Sequence, residues 1–277
     1  MTSLTIGLLQ TTTGIDPDAN ARTLVAGISA LAEQGAALVF TPEMSGLLDR
    51  DRTRAARVVT TEDGDVVLAA VRAACAEHRM WCQLGSLALR PAPDAQRLVN
   101  RSFLIDTTGT VRARYDKLHL FDVDLPNGDR YRESASYASG TQAVVASTPW
   151  GKLGLTICYD MRFPALSAAL ALAGAAMIAV PAAFTRPTGI AHWHTLLRAR
   201  AIETGCFVIA AAQTGEHADG RATFGHSLVV DPWGSVLLDM GEAPGASLCT
   251  LDLDMVAATR ARIPSLVHAR AFTLIEA

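Results

Sequence analysis

Alternating and periodic apolar positions predict a succession of strands and helices in the first half of the chain. Short apolar or alternating runs predict strands over 4–10, 36–43 and 80–89. Apolar residues spaced three and four apart predict helices over 18–34 and 64–79. A further pair of alternating runs, separated by a turn that contains glycine, predicts a hairpin over 98–115.

The second half repeats this pattern after a long polar and aromatic segment. That segment, 116–140, is predicted to be a loop, and loops this long in compact domains are usually functional or disordered. A second hairpin is predicted over 224–240, with its turn at 231–234. The remaining predicted strands are 142–147, 151–157, 176–180, 206–212 and 246–254, and the remaining predicted helices lie near 163–173, 191–204 and 254–262.

This order of elements predicts an α/β protein. The chain shows no linker, internal repeat or low-complexity tract, so residues 1–277 are expected to form a single domain. So many strands would suit two packed sheets with helices outside them.

The composition limits which binding partners and which cellular compartment are expected for this protein. Half of the residues are hydrophobic and 18% are charged, as expected of a well-buried globular protein. The net charge of −3 favours neither nucleic acid nor an anionic membrane as a partner. No apolar run reaches the roughly 18 residues of a membrane helix. The N-terminus lacks the features of a signal peptide, and the five cysteines show no CxxC spacing, so a reducing cytoplasm is expected.

Three polar residues follow predicted strands: Glu43, Lys117 and Cys158. If these strands end at one rim, the three side chains would meet in a crevice of the kind that binds ligands in α/β folds. A carboxylate could then deprotonate the thiol, and the ammonium could stabilise a developing negative charge. Taken singly, Glu43 and Lys117 are more typical of surface charges, and Cys158 is more typical of a small buried filler. Position alone leaves their convergence open.

Three segments resemble the signature segments of the nitrilase superfamily of carbon–nitrogen hydrolases. They are "FTPEMS", "YDKLHLFDVDLP" and "GLTICYDMRFPALS", in the order and spacing of that family. The similarity continues through 188–215 and 224–234, so it covers nearly the whole chain. The resemblance implies a four-layer αββα sandwich. It also implies that subunits pack together as a homodimer or a higher homo-oligomer.

The resemblance implies a role for each residue of the site. Glu43, Lys117 and Cys158 correspond to the catalytic triad of the family, which hydrolyses amides through a thioester. The backbone N–H of Tyr159 and the ammonium of Lys117 would bind the oxyanion. Glu133 matches a second glutamate that would hold Lys117 and the substrate or water, and a loop carboxylate on the surface is the lesser alternative. No cofactor is implied.

The segments resemble the Nit branch most closely, and within it the members that hydrolyse deaminated glutathione to 2-oxoglutarate and cysteinylglycine. This small-molecule amide would be the substrate. An ω-amidase acting on 2-oxoglutaramate, a small aliphatic amidase, an N-carbamoyl hydrolase and an inactive partner-binding scaffold remain the alternatives. Arg162 could clamp the substrate carboxylate, and Thr185 and Arg186 could line the same mouth, although surface roles are equally compatible with all three.

One position departs from the resemblance. The segment "AHWH" places His194 where a glutamate is expected, which would alter the charge of the pocket if this side chain faces it. His192 and His194 are two residues apart and do not share a helix face, so this pair predicts no metal site.

Overall fold

Two six-stranded sheets lie face to face, and helices cover their outer surfaces. The structure is a computed structural model that describes residues 2–125 and 128–276. The four-layer αββα arrangement expected from the sequence is confirmed. None of the helices within these described ranges combines the length and apolarity that a bilayer crossing requires.

The elements follow one another along the chain with short connections. The strands are β1 (Ser3–Gln10), β2 (Leu38–Phe40), β3 (Trp81–Leu89), β4 (Val99–Ile105), β5 (Val111–Asp116), β6 (Asp122–Asp124), β7 (Arg130–Arg132), β8 (Val144–Thr148), β9 (Gly151–Leu155), β10 (Ala175–Ala179), β11 (Phe207–Ala210), β12 (Thr214–Glu216), β13 (Ala222–Phe224), β14 (Leu228–Val230), β15 (Val236–Asp239) and β16 (Gly245–Asp252). The helices are α1 (Pro17–Glu33), α2 (Arg52–Ala55), α3 (Val66–His78), α4 (Pro164–Leu172), α5 (Arg186–Thr204), α6 (Asp254–Arg262) and α7 (Ser265–His268).

The two sheets have related topologies. The first has the order β16-β1-β2-β3-β4-β5, and the second has the order β15-β14-β11-β10-β9-β8. Strands β1, β2 and β3 run parallel, as do β9, β10 and β11. The carboxyl ends of parallel neighbours share one edge of a sheet, which is where α/β proteins usually bind ligands.

Alternation along the strands divides the core into layers. Leu38 and Phe40 of β2 pack in the cluster that joins the two sheets, whereas Val39 between them packs in the cluster formed with α1 and α3. Successive side chains of a strand point to opposite faces, so one buried strand contributes to both layers. This explains why the central strands are almost continuously apolar.

The ends of the longer helices follow from local chemistry. The carboxylate of Asp16 accepts hydrogen bonds from the N–H groups of Asp18 and Ala19, which caps α1. Helix α5 has a proline in its first turn, and its last residue is followed by Gly205, which adopts a left-handed backbone with φ 59° and caps the helix. The predicted helix near 191–204 therefore begins earlier, at Arg186.

Most predicted elements are found within a few residues of their expected bounds, but the 116–140 segment is more regular than predicted. It contains the hairpin of β6 and β7, and Glu133–Ala135 form a single 3₁₀ turn. Positions 126–127 of this predicted loop lie outside the described residues. A second small hairpin, β12 with β13, was also not predicted. Both hairpins have strands of only three residues, which are too short for alternation to be recognised.

Candidate active site

The ends of strands from both sheets bring the predicted triad together. Glu43 follows β2 and Lys117 follows β5 in the first sheet, whereas Cys158 follows β9 in the second. Each of the three is less than 10% exposed. The site therefore lies where the two sheets meet, and it needs both of them to be complete.

The carboxylate of Glu43 is held by three donors. Its Oε1 atom accepts hydrogen bonds from Lys117 Nζ at 2.9 Å and from Asn100 Nδ2 at 2.9 Å. Its Oε2 atom accepts from the backbone N–H of Ala183 at 2.8 Å, and Ala183 follows β10 of the second sheet. These contacts fix both oxygens, so the carboxylate is held in one orientation beside the Cys158 thiol, with which it also interacts.

Lys117 bridges two carboxylates. In addition to Glu43, its Nζ atom contacts both oxygens of Glu133, at 3.1 and 2.9 Å. Glu133 accepts a further hydrogen bond from the backbone N–H of Phe121 at 2.7 Å. The side chain of Lys117 is only 2% exposed, so this ammonium is almost fully withdrawn from water and is neutralised by its two partners. Glu133 is thus in contact with the triad rather than on the surface.

Cys158 occupies a tight turn at the end of the second sheet. Its φ of 48° places a non-glycine residue in the left-handed region, which costs about 1–3 kcal/mol and is typical of functional sites. Its N–H donates to the Pro181 carbonyl, and the Asp160 N–H donates to the Ile157 carbonyl. Along the chain, the N–H of Tyr159 lies between these two hydrogen-bonded N–H groups and directly follows Cys158.

The charges of the site favour a neutral thiol beside an ionised base. Burial raises the pKa of the Cys158 thiol well above its usual value, and the neighbouring Glu43 carboxylate raises it further. Burial alone would also raise the pKa of Glu43, but the Lys117 ammonium outweighs it and the pKa of that carboxyl is lowered. Burial by itself would lower the pKa of Lys117, but the nearby Glu133 and Glu43 carboxylates hold that pKa well above the usual range. The proton therefore stays on the sulfur in the resting site, and the ionised Glu43 carboxylate is placed to accept it as the thiol attacks a substrate.

A buried carboxylate next to the thiol joins the loop after Lys117 to the Cys158 turn. Asp160 is fully buried and accepts hydrogen bonds from the Tyr115 hydroxyl at 2.6 Å and the Ile157 N–H at 2.8 Å. It also accepts from the backbone N–H of His119 at 3.0 Å, and the His119 ring nitrogen Nδ1 lies 2.7 Å away. These contacts set the position of the turn relative to Lys117.

Asp160→Asn is expected to lower the free energy of unfolding by about 1–3 kcal/mol. The donors around this side chain need two acceptor oxygens, and asparagine would replace one of them with an NH₂ group that is itself a donor. Urea denaturation followed by circular dichroism measures the change. Asp63→Asn, at an exposed position, is the matched control. Equal denaturation midpoints for the two variants would contradict the structural role assigned to Asp160.

The three predicted substrate-binding residues have different environments. Arg162 is half-buried, and its guanidinium lies 5.3 Å from the centre of the Phe184 ring and 5.9 Å from that of Tyr159. Thr185 precedes α5, and its hydroxyl is 2.8 Å from that of Thr188. Arg186 is exposed and forms an ion pair with Glu242 at 3.3 Å. Arg162 is thus placed next to the Cys158 turn, whereas Arg186 is engaged at the surface.

Sequence analysis missed two residues that complete the site. Asn100 lies inside β4 and donates to both Glu43 and Glu133, the second bond being 3.3 Å long. The available signal was the polar run 100–102 inside a predicted strand, since a buried amide requires partners. Asp160 lies two residues after Cys158, in the segment that resembles the family, where the sequence alone assigns it no role.

The family model described as "Carbon-nitrogen hydrolase" matches residues 5–261. The chain belongs to the carbon–nitrogen hydrolase family. As a member of that family, it is a hydrolase that acts on carbon–nitrogen bonds other than peptide bonds, in amides.

Individual members of the carbon–nitrogen hydrolase family show the same relationship. The deaminated glutathione amidase of Bos taurus is 41% identical over 96% of this chain and 81% of its own length. The deaminated glutathione amidase of Yersinia enterocolitica is 40% identical over 98% of this chain and 94% of its own. The crystal structure of the C. elegans NitFhit protein superposes with a TM-score of 0.90 at 38% identity, covering 98% of this chain and 66% of that longer one.

Proposed function

We propose that this hydrolase cleaves deaminated glutathione, in which a ketone replaces the amine of the γ-glutamyl group, into 2-oxoglutarate and cysteinylglycine. The observation that carries the proposal is the buried Glu43–Lys117–Glu133 group beside Cys158, which supplies a base, a cation and a thiol at one point. Two relatives about 40% identical over most of the chain are deaminated glutathione amidases, which supports this substrate.

In the first half of the reaction, the Cys158 sulfur attacks the amide carbon while its proton passes to Glu43. The carbonyl oxygen becomes an oxyanion, which the Lys117 ammonium and the Tyr159 N–H stabilise. Glu43 then returns the proton to the nitrogen as the carbon–nitrogen bond breaks. Cysteinylglycine leaves, and a thioester joins the acyl group to Cys158.

In the second half, Glu43 takes a proton from water, and the resulting hydroxide attacks the thioester carbon. The same two donors stabilise the second oxyanion. The carbon–sulfur bond then breaks, 2-oxoglutarate leaves, and the thiolate recovers the proton from Glu43. Glu133 acts by holding Lys117, with which it forms two contacts of about 3 Å.

We further propose that the whole chain is one domain that works in the cytoplasm as a homodimer or higher homo-oligomer. The five cysteines are free thiols, which suits a reducing compartment. Several large apolar side chains near α4, α5 and the 231–234 turn are at least half exposed and would suit a subunit interface: Leu172, Ile202, Trp233 and Ile263. Sedimentation velocity measures the number of subunits in the assembly.

The substrate is tested by comparing kcat/KM for deaminated glutathione, 2-oxoglutaramate and a neutral aliphatic amide. We expect the highest value for deaminated glutathione. A higher value for 2-oxoglutaramate would replace this proposal with an ω-amidase activity. An acyl adduct on Cys158, trapped by acid quenching and measured by intact-mass spectrometry, would exclude an inactive scaffold.

Arg162 is proposed to bind the substrate carboxylate. Arg162→Lys is expected to raise KM for the oxo-acid amide by about tenfold, because lysine cannot form the two parallel hydrogen bonds of a guanidinium. KM for a neutral amide should change little. Arg22→Lys, on the exposed face of α1, is the matched control. Equal increases of KM for charged and neutral substrates would remove Arg162 from this role.

A further inference from the structure

Two histidines and a carboxylate from three separate elements converge on the surface beside α5. His194 lies in α5, His226 precedes β14, and Asp239 ends β15. The ring nitrogens His194 Nε2 and His226 Nδ1 lie 2.8 and 3.1 Å from the same oxygen, Asp239 Oδ2. The potential ligand atoms of the three residues all lie within 4.8 Å of one another.

The carboxylate is oriented from outside the group. The N–H of Gly241 donates to Asp239 Oδ1 at 2.9 Å. This bond holds Oδ1, which also lies 2.9 Å from His226 Nδ1, while Oδ2 lies within reach of both imidazoles. Hydrogen bonds of this kind to the ligands are the usual second layer of metal sites.

His226 is also held in place by groups outside the cluster. Its backbone is left-handed, with φ 54°, and its carbonyl accepts a hydrogen bond from the Trp193 indole at 2.8 Å. Its ring stacks on Phe224, with centroids 4.5 Å apart and planes 21° from parallel. The fully buried Trp193 precedes His194 in α5, so one anchored turn of helix positions two of the three ligands.

We propose that His194, His226 and Asp239 bind a divalent first-row transition metal ion, of which zinc is the best match. Two imidazoles and one carboxylate suit this class of ion, and a water molecule can complete a tetrahedron. Metal–ligand bonds of about 2.0–2.1 Å place the ligand atoms of a tetrahedron about 3.4 Å apart, so the three atoms need only small movements. Their side chains are 23–38% exposed, which leaves a path for the ion.

The bound ion would link helix α5 to the β14–β15 hairpin. The ligands come from different elements than Glu43, Lys117, Glu133 and Cys158, and no hydrogen bond within the described residues joins the cluster to those four. An ion that binds the folded chain in preference to the unfolded one stabilises it by mass action. The expected effect of the ion is therefore a gain in stability of the folded chain.

The test uses untagged, chelator-treated full-length protein carrying Cys158→Ala, which removes the reactive thiol as a competing ligand. Calorimetric titration with Zn²⁺ is expected to show one tight equivalent, and Co²⁺ is expected to give the visible absorption of a tetrahedral complex. Zn²⁺ should also raise the melting temperature. His194→Gln and Asp239→Asn should each weaken binding by at least about 100-fold, because even the loss of an outer partner costs roughly 10–100-fold.

His268→Gln is the matched control, since this exposed histidine lies in α7, away from the cluster. It should bind zinc as the unsubstituted protein does. The proposal is overturned if the protein takes up no zinc, if both cluster variants retain the tight equivalent, or if the His268 variant loses it. His194→Gln replaces a partly exposed side chain, so this variant should fold, which circular dichroism verifies. It still tests the site if Asp239→Asn proves unstable.

Discussion

Cys158→Ala is expected to reduce turnover by on the order of 10⁴-fold or more, because no other group would form the acyl-enzyme. The substitution removes one sulfur from a side chain that is 7% exposed, and alanine tolerates the left-handed backbone about as well as cysteine does. The fold should therefore persist. Steady-state hydrolysis of deaminated glutathione measures the effect, and far-ultraviolet circular dichroism with urea denaturation verifies the structure.

The matched control for this variant is Cys249→Ala. Cys249 is a free thiol in β16, half-buried and outside the candidate site. This control should retain wild-type kinetics and should still give the acyl adduct in intact-mass spectra. A folded Cys158→Ala protein that hydrolyses the substrate at the normal rate would end the proposal of a cysteine nucleophile.

Glu43→Gln is expected to lower kcat by about 10²–10⁴-fold, the usual contribution of a general base. The amide cannot take the Cys158 proton, so alkylation of the thiol by iodoacetamide should slow as well. The NH₂ group of glutamine would face either the Ala183 N–H or the donors Lys117 and Asn100, so a loss of about 1–3 kcal/mol in stability is also expected.

These two effects of Glu43→Gln can be separated. Kinetics are measured well below the denaturation midpoint, where the variant is folded, and Glu33→Gln at the exposed end of α1 is the control for charge removal. Unchanged alkylation and a kcat within a few-fold of wild type would assign the base to another group. A fall in kcat together with normal alkylation would restrict Glu43 to the later, hydrolytic half of the reaction.

Local patterns were enough to predict the long elements. The apolar periodicity of 18–34 predicts α1, and the proline and glycine of 231–234 indicate a turn there. These signals depend on residues close in sequence, so they can be read without knowing the fold. Short elements such as the β6–β7 hairpin escaped because three residues do not establish a period.

The candidate site was predicted in part. Glu43, Lys117 and Cys158 could be chosen because each follows a strand and because their segments resemble one family. The sequence alone left open whether they meet. Their convergence depends on the packing of one sheet against the other, as does the contact between Glu43 and the Ala183 N–H.

The sequence by itself therefore determined the α/β class, the main elements and the residue types available for amide hydrolysis, because short-range periodicity and motif order encode them. Only the tertiary structure decided that Asn100 and Asp160 support the site and that His194 meets His226 and Asp239 rather than His192. Those contacts join residues far apart in the chain, and their distances are set by how sheets and helices pack.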